Sequence, residues 1–184
     1  PPGETNMGNF IAWDGKTGKI VWSNKEQFSV WSGALATAGG VVFYGTLEGY
    51  LKAVDAKTGK VAWETKVQDY KKGQYMTLMP LVVDGKVIVG GSGGEFGVQA
   101  HMTAYDIKTG KLAWRGFSEG PDDQILVDDK TTELGKPIGK DSSLKTWQGD
   151  QWKIGGGATW GWISYDPELN LVYYGSGNPS TWNP

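Results

Sequence analysis

Residues 12–22 read Ala-Trp-Asp-Gly-Lys-Thr-Gly-Lys-Ile-Val-Trp, residues 53–63 read Ala-Val-Asp-Ala-Lys-Thr-Gly-Lys-Val-Ala-Trp, and residues 104–114 read Ala-Tyr-Asp-Ile-Lys-Thr-Gly-Lys-Leu-Ala-Trp. All three share Ala-x-Asp-x-Lys-Thr-Gly-Lys-x-x-Trp, and the copies follow one another after 41 and then 51 residues. Self-similarity at such a period marks a propeller or solenoid built from one repeated supersecondary unit. In each copy the aspartate (Asp14, Asp55, Asp106) ends a strand, with a carboxylate able to accept backbone N–H groups inside the turn. The glycine (Gly18, Gly59, Gly110) supplies the positive φ that closes a hairpin. Lys-x-x-Trp then opens the returning strand, and period-2 alternation predicts a water-facing lysine and a tryptophan on a buried face. Each of Trp22, Trp63 and Trp114 has an indole large enough to bury on the order of 200 Å² against the next unit.

Working outward from the second copy, strands are expected at 34–37, 41–46, 50–55 and 60–66, a four-stranded meander. The cycle recurs at 77–83, 86–91, 101–106 and 111–116, and in part at 159–165 and 171–176. Four antiparallel strands per repeat is a propeller blade. The fold class is therefore all-β, with tryptophan-docked blades; about four of them, counting partial ones, fit in residues 1–184 as a single partial propeller domain. Residues 117–153 interrupt the cycle as a long polar excursion, which in a compact domain is more often functional or ordering than inert. An open blade edge exposes strand hydrogen-bonding groups, so closure by a second copy of the chain is one expectation.

Composition bounds the function. The 184 residues hold 29 glycines, ten tryptophans, no cysteine and one histidine, with a formal net charge of −2. Disulfides, thiolate metal sites, cysteine nucleophiles and His-rich zinc sites are excluded, and a Ser-His-Asp triad has only His101 to draw on. The balanced charge argues against a protein held to nucleic acid by phosphate contacts. No apolar run is long enough for a transmembrane helix, and no charged-then-apolar leader pattern opens the sequence.

A few residues stand out chemically. Glu95, in Gly-Gly-Ser-Gly-Gly-Glu-Phe-Gly-Val (90–98), is a carboxylate among glycines, which suits either a hard cation or a solvated turn. Asn178, in Ser-Gly-Asn-Pro-Ser, reads by itself as a turn initiator. Trp160, in Gly-Gly-Gly-Ala-Thr-Trp-Gly-Trp, reads as a core aromatic between blades or as a platform for a planar ligand. Thr77 and Ser92 read as hydroxyls on consecutive strands. Glu95 and Asn178 meet only if neighbouring blades converge at one end, as they do around a propeller axis.

The repeat, the glycine-rich segment 90–98 and the run 152–184 together resemble the PQQ-dependent methanol and alcohol dehydrogenases, eight-bladed propellers with tryptophan docking motifs of this form. The resemblance extends to 3–60, but in permuted order: stretches like 3–60 close the family's chain, stretches like 61–184 come from its first half, and the two are joined here inside Ala-Val-Asp-Ala-Lys-Thr-Gly-Lys. It implies a partial ring whose activity is PQQ-dependent oxidation of methanol or another primary alcohol, with electrons passed to a cytochrome c, in the periplasm. It implies Glu95 and Asn178 as ligands of a calcium or lanthanide ion. It implies Trp160 as the floor of the quinone pocket, with Thr159, Thr77, Ser92, Gly93, Gly94 and Trp31 as further cofactor contacts. Gly94, where calcium-type members carry alanine, resembles the lanthanide branch. The family's catalytic aspartate lies several tens of residues beyond the Asn-Pro motif, and its vicinal cysteines have no counterpart. No catalytic residue is therefore assigned: Asp166 and Glu168 sit at a turn, and Asp128, Asp129, Asp141 and Asp150 lie in the excursion. The alternative is a catalytically incomplete propeller piece that binds metal and quinone or only assembles structurally.

Overall fold

In a computed structural model that describes residues 3–180, the repeat folds as a series of antiparallel sheets. The first is a hairpin of β1 (Gly8–Trp13) and β2 (Ile20–Glu26). A four-stranded meander follows, of β3 (Ala34–Ala36), β4 (Val41–Gly45), β5 (Tyr50–Asp55) and β6 (Val61–Lys66). A second comprises β7 (Leu81–Val83), β8 (Lys86–Val89), β9 (His101–Asp106) and β10 (Leu112–Phe117). The excursion carries one helical turn, α1 (Asp122–Ile125), and a short ribbon of β11 (Thr132–Glu133) and β12 (Lys136–Pro137). The last sheet pairs β13 (Ser164–Asp166) with β14 (Leu171–Tyr173).

The blade architecture expected from the repeat is present: two complete four-stranded blades, flanked by two two-stranded sheets. Most strand ends fall within two residues of expectation, and three boundaries differ by more. The strand expected at 77–83 begins only at Leu81, because Pro80 has no N–H for the ladder. The stretch expected at 159–165 becomes a strand only at Ser164, and the one at 171–176 ends at Tyr173. The last four residues of the run 152–184 lie outside the described residues.

The turns form as their residues dictate. Asp106 Oδ1 accepts from Lys108 N at 3.1 Å, Thr109 N at 2.8 Å and Thr109 Oγ1 at 2.7 Å, and Asp14 and Asp55 repeat the pattern. These bonds hold the three carboxyls below their ordinary range. The three tryptophans are half-buried rather than buried, and Trp22 and Trp63 lie across the edge of the next blade. Trp22 Nε1 donates to Ala56 O and Trp63 Nε1 to Ile107 O, both at 3.0 Å. Each indole covers the next turn's glycine so closely that a Cβ on Gly59 or Gly110 would lie 2.7 or 2.6 Å from it.

Strand alternation sends alternate residues of the central blade to opposite neighbours. Val87, Val89 and Tyr105 pack with Phe43, Leu51 and Ala53 of the preceding blade, whereas Ile88, Met102 and Ala104 face Ile163, Tyr165 and Val172 of the last sheet. The first hairpin is held by Phe10 stacked on Tyr44 at 3.8 Å and by the buried Glu26 carboxylate, which accepts from Tyr44 Oη at 2.6 Å and pairs with Lys52 Nζ at 2.9 Å. No helix among the described residues is long and apolar enough to cross a membrane.

Candidate functional site

Antiparallel pairing fixes which end of the sheets each loop occupies. The Lys-Thr-Gly turns join third to fourth strands at one end. The segments entering first strands, leaving second strands and leaving fourth strands lie at the other end. Trp31 precedes β3, Thr77 precedes β7, and Thr159 and Trp160 precede β13. Ser92, Gly93, Gly94 and Glu95 follow β8, and Asn178 follows β14. All nine candidates therefore sit at the end opposite the Lys-Thr-Gly turns. The excursion after β10 leaves from that end too, whereas Asp166 and Glu168 belong to a turn at the other: Asp166 Oδ1 accepts from Glu168 N at 2.9 Å.

Three segments close a concave pocket of about 580 Å³, lined by Gly33, Thr77, Leu78, Met79, Trp160, Gly161 and Trp162. Trp160 is 59% exposed and offers an indole face to this space, while Thr77 supplies a hydroxyl. Thr77 Oγ1 lies 2.6 Å from Ser92 Oγ, so one hydroxyl donates to the other, in either direction, and the second O–H stays available to a further acceptor. Contrary to expectation they stand outside the named strands; an isolated bridge between Tyr75 and Ser92 brings them together. Trp31 is 62% exposed and meets Tyr75 edge-on at 6.4 Å, and Tyr75 in turn meets Phe96 beside Glu95 at 6.5 Å.

Thr159 faces inward. Its hydroxyl accepts from Gly91 N and donates to His101 O, both at 2.9 Å, and so ties the strand entering Trp160 to the central blade. Gly93 and Gly94 are buried, and protein fills the space of their missing side chains. A Cβ on Gly93 would meet Gly73 O, and one on Gly94 would lie 3.2 Å from Gly156 Cα. Their reach toward a ligand is through the backbone.

The loops that carry Glu95 and Asn178 pack against the same Gly155–Ala158 segment. Asn178 O accepts from Gly157 N at 2.9 Å, Gly94 packs on Gly156 and Ala158, and Ser180 Oγ donates to Gly94 O. Both side chains are exposed. Asn178 Nδ2 donates to Pro179 O at 2.9 Å, which leaves Oδ1 outward as an acceptor. No cluster of three or more His, Asp or Glu that could hold a metal occurs among the described residues.

The acidic residues of the excursion hold its turns: Asp122 accepts from Asp141 N and Ser143 N, Asp128 from Lys130 N, and Asp150 pairs with Lys153. Sequence reading missed Trp162, Leu78 and Met79, which line the pocket; of these only Trp162, beside Trp160, carried a visible signal. It also missed Glu119 at the foot of the excursion, a buried carboxyl that burial pushes up to about 7. His101 is a core residue, bonded through Nδ1 to Thr103 Oγ1 at 2.7 Å, with burial and the nearby Arg115 lowering it to about 3.

Four-stranded antiparallel blades docked through tryptophans define a β-propeller, and similarity to known proteins places it among the quinoprotein type. The profile of a family described as outer membrane protein assembly factor BamB matches residues 6–138. The lanthanide-dependent methanol dehydrogenase of Methylorubrum extorquens is 65% identical over 151 residues, covering 82% of this chain and 25% of that protein. Methanol dehydrogenase [cytochrome c] subunit 1 of Paracoccus denitrificans is 40% identical over 183 residues, covering 90% and 29%. A solved europium-containing methanol dehydrogenase superposes with a TM-score of 0.86 at 44% identity, covering 95% of this chain and 33% of the other. The chain belongs to this propeller family and is homologous over most of its length to the lanthanide-dependent methanol dehydrogenases. It spans between a quarter and a third of the length of these relatives.

Proposed function

We propose that this end of the sheets is part of the PQQ- and metal-binding face of a quinoprotein that oxidises methanol or another primary alcohol in the periplasm and passes electrons to a cytochrome c. One observation carries the reading: residues from three successive blades meet in a single pocket where an exposed indole face stands beside a hydroxyl pair, next to the loops of Glu95 and Asn178. The residues present fit the groups. A planar tricyclic quinone needs a flat apolar floor, which Trp160 provides with Leu78 and Met79 alongside. Its carboxylates and carbonyls need donors, which the Thr77–Ser92 pair supplies, and Trp31, two residues before the lining Gly33, is a further candidate contact. The Glu95 carboxylate and Asn178 Oδ1 are hard oxygen donors suited to a calcium or lanthanide ion, with further donors coming from the quinone, water and other segments. A quinone held there would supply a two-electron acceptor for the alcohol's hydride equivalent, and a cation held by Glu95 and Asn178 would supply Lewis acidity. Thr159 contributes by holding the Trp160 segment on the blade, and Gly93 and Gly94 by packing the Glu95 loop against its neighbours.

Titration calorimetry of the 184-residue chain with PQQ, with and without calcium or a lanthanide, tests this. Saturable binding that needs the metal and is lost in both Glu95→Ala and Trp160→Ala is expected. Binding that ignores the metal, or survives in Glu95→Ala, overturns the assignment.

A further inference from the structure

Glu95 rides on a single helical turn, Gly94–Phe96, set between Gly93 at φ 103° and Gly97 at φ 71°. Both glycines lie in the left-handed region, where the backbone carries no side chain to restrict it. The turn's own bonds are few: Phe96 N donates to Gly93 O at 2.9 Å and Gly97 N to Gly94 O at 3.3 Å. Ser92 N, which donates to Tyr75 O at 2.9 Å, holds the upstream side, and Ser180 Oγ donates to Gly94 O. The downstream side is held by the excursion.

Both ends of the excursion return to the same stretch, residues 97–100. Leading out of it, Gly156 N donates to Val98 O and Gly156 O accepts from Ala100 N, both at 3.0 Å, as an isolated parallel bridge between Gln99 and Gly156. Leading into it, Ser118 N donates to Ala100 O at 2.9 Å. Gln99 adds a side chain to this backbone seam: its Nε2 donates to Glu119 O and lies 3.3 Å from Gln124 Oε1 on α1. Turned over, the Gln99 carboxamide would set its own oxygen against the Glu119 carbonyl, so one orientation is selected. Gly120 leaves room for the pair, since a Cβ there would lie 2.9 Å from both carboxamides. The excursion is also closed on itself, where Asp122 accepts from Asp141 N at 2.7 Å and Ser143 N at 3.1 Å.

We propose that the excursion is a clamp on the Glu95 loop and that Gln99 is its positioning residue: by tying residues 97–100 to Glu119 and Gln124 it fixes where the turn of Glu95 ends, and so how that carboxylate is presented to a cation. The effect runs through the backbone of the loop. Its consequence for a cation rests on the reading of Glu95 as a metal ligand; the clamp itself does not. In the 184-residue chain, Gln99→Met keeps the side chain's length and removes the donor. Gln124→Met removes one acceptor, and Gln124→Glu keeps an acceptor in its place. Hydrogen exchange reads the clamp with no ligand present. The Phe96 and Gly97 amides are expected to exchange on the order of tenfold faster in Gln99→Met, while the Met102–Tyr105 amides of β9 keep their protection. Calorimetric titration with europium(III) at a fixed excess of PQQ reads the consequence. Its Kd is expected to rise on the order of tenfold in Gln99→Met, to rise less in Gln124→Met, and to return toward that of the parent chain in Gln124→Glu. Unchanged exchange at Phe96 and Gly97 in a folded Gln99→Met chain overturns the clamp, and the two Gln124 variants decide the matter if Gln99→Met fails to fold. Faster exchange with an unchanged europium Kd overturns the positioning role. A parent chain that takes up no europium overturns the metal reading and the positioning role together, while faster exchange in Gln99→Met would still support the clamp.

Discussion

Single side chains at the candidate site divide into those that face solvent and those that hold the face in place. Thr159 is the clearest of the second kind: one hydroxyl satisfies a buried donor just after β8 and a buried acceptor on β9, which positions the neighbouring indole of Trp160. His101, whose carbonyl Thr159 uses, is 3% exposed and depressed to about 3 by burial, with Arg115 adding to the effect. Its folded pKa lies below the unfolded value of 6.5, so the neutral form is required by the fold. Its contribution to stability is complete above pH 6.5 and declines as the pH falls from there toward 3. Imidazole proton resonances that do not move between pH 8 and 5, together with urea midpoints that decline below pH 6.5 less steeply in His101→Gln, are the expected result. A shared hydroxyl pair such as Thr77–Ser92 was only half legible from sequence. The residue types were visible, but their approach depends on the Tyr75–Ser92 bridge, which joins segments outside any regular strand.

At the scale of strands and turns, the repeat was highly legible because its chemistry is local. An aspartate that accepts three bonds within its own turn and a glycine at positive φ need no information from elsewhere in the chain. Where the periodic reading ran long, at 77–83 and 159–165, the chain leaves the ladder to place Thr77 and Trp160 in the pocket. The energetics of the blade contact rest on the indoles. Trp63 packs on Phe43 and covers Gly110, and its Nε1–H satisfies Ile107 O. Trp63→Ala is expected to cost about 3 kcal/mol, from lost burial and an unpaired carbonyl. Urea denaturation followed by circular dichroism measures this, and a cost below about 1 kcal/mol would show that the dock contributes little.

For the molecule as a whole, the sheets are held in series by faces of opposite parity, so each blade needs neighbours on both sides. The first hairpin depends most on one polar contact: Glu26 is 4% exposed and is satisfied by Lys52 and Tyr44 across the junction with the next blade. Lys52→Met leaves that carboxylate buried with only the tyrosine as partner, and a loss of about 3 kcal/mol is expected in equilibrium unfolding, with the β1–β2 amides losing exchange protection first. Unchanged protection there would show that the Phe10–Tyr44 stack alone holds the hairpin.

The amino-acid sequence by itself determined the unit of the structure, its turn chemistry and its docking residue, because these arise from contacts within about a dozen residues. It also marked Glu95, Trp160 and Asn178 as unusual in their settings. Only the tertiary structure decided that Trp160, Trp162, Thr77 and Met79 border one cavity and that Thr159 turns inward. Those facts depend on which ends of separate sheets come together, and strand periodicity repeats the same pattern in every blade without specifying what lies across the gap.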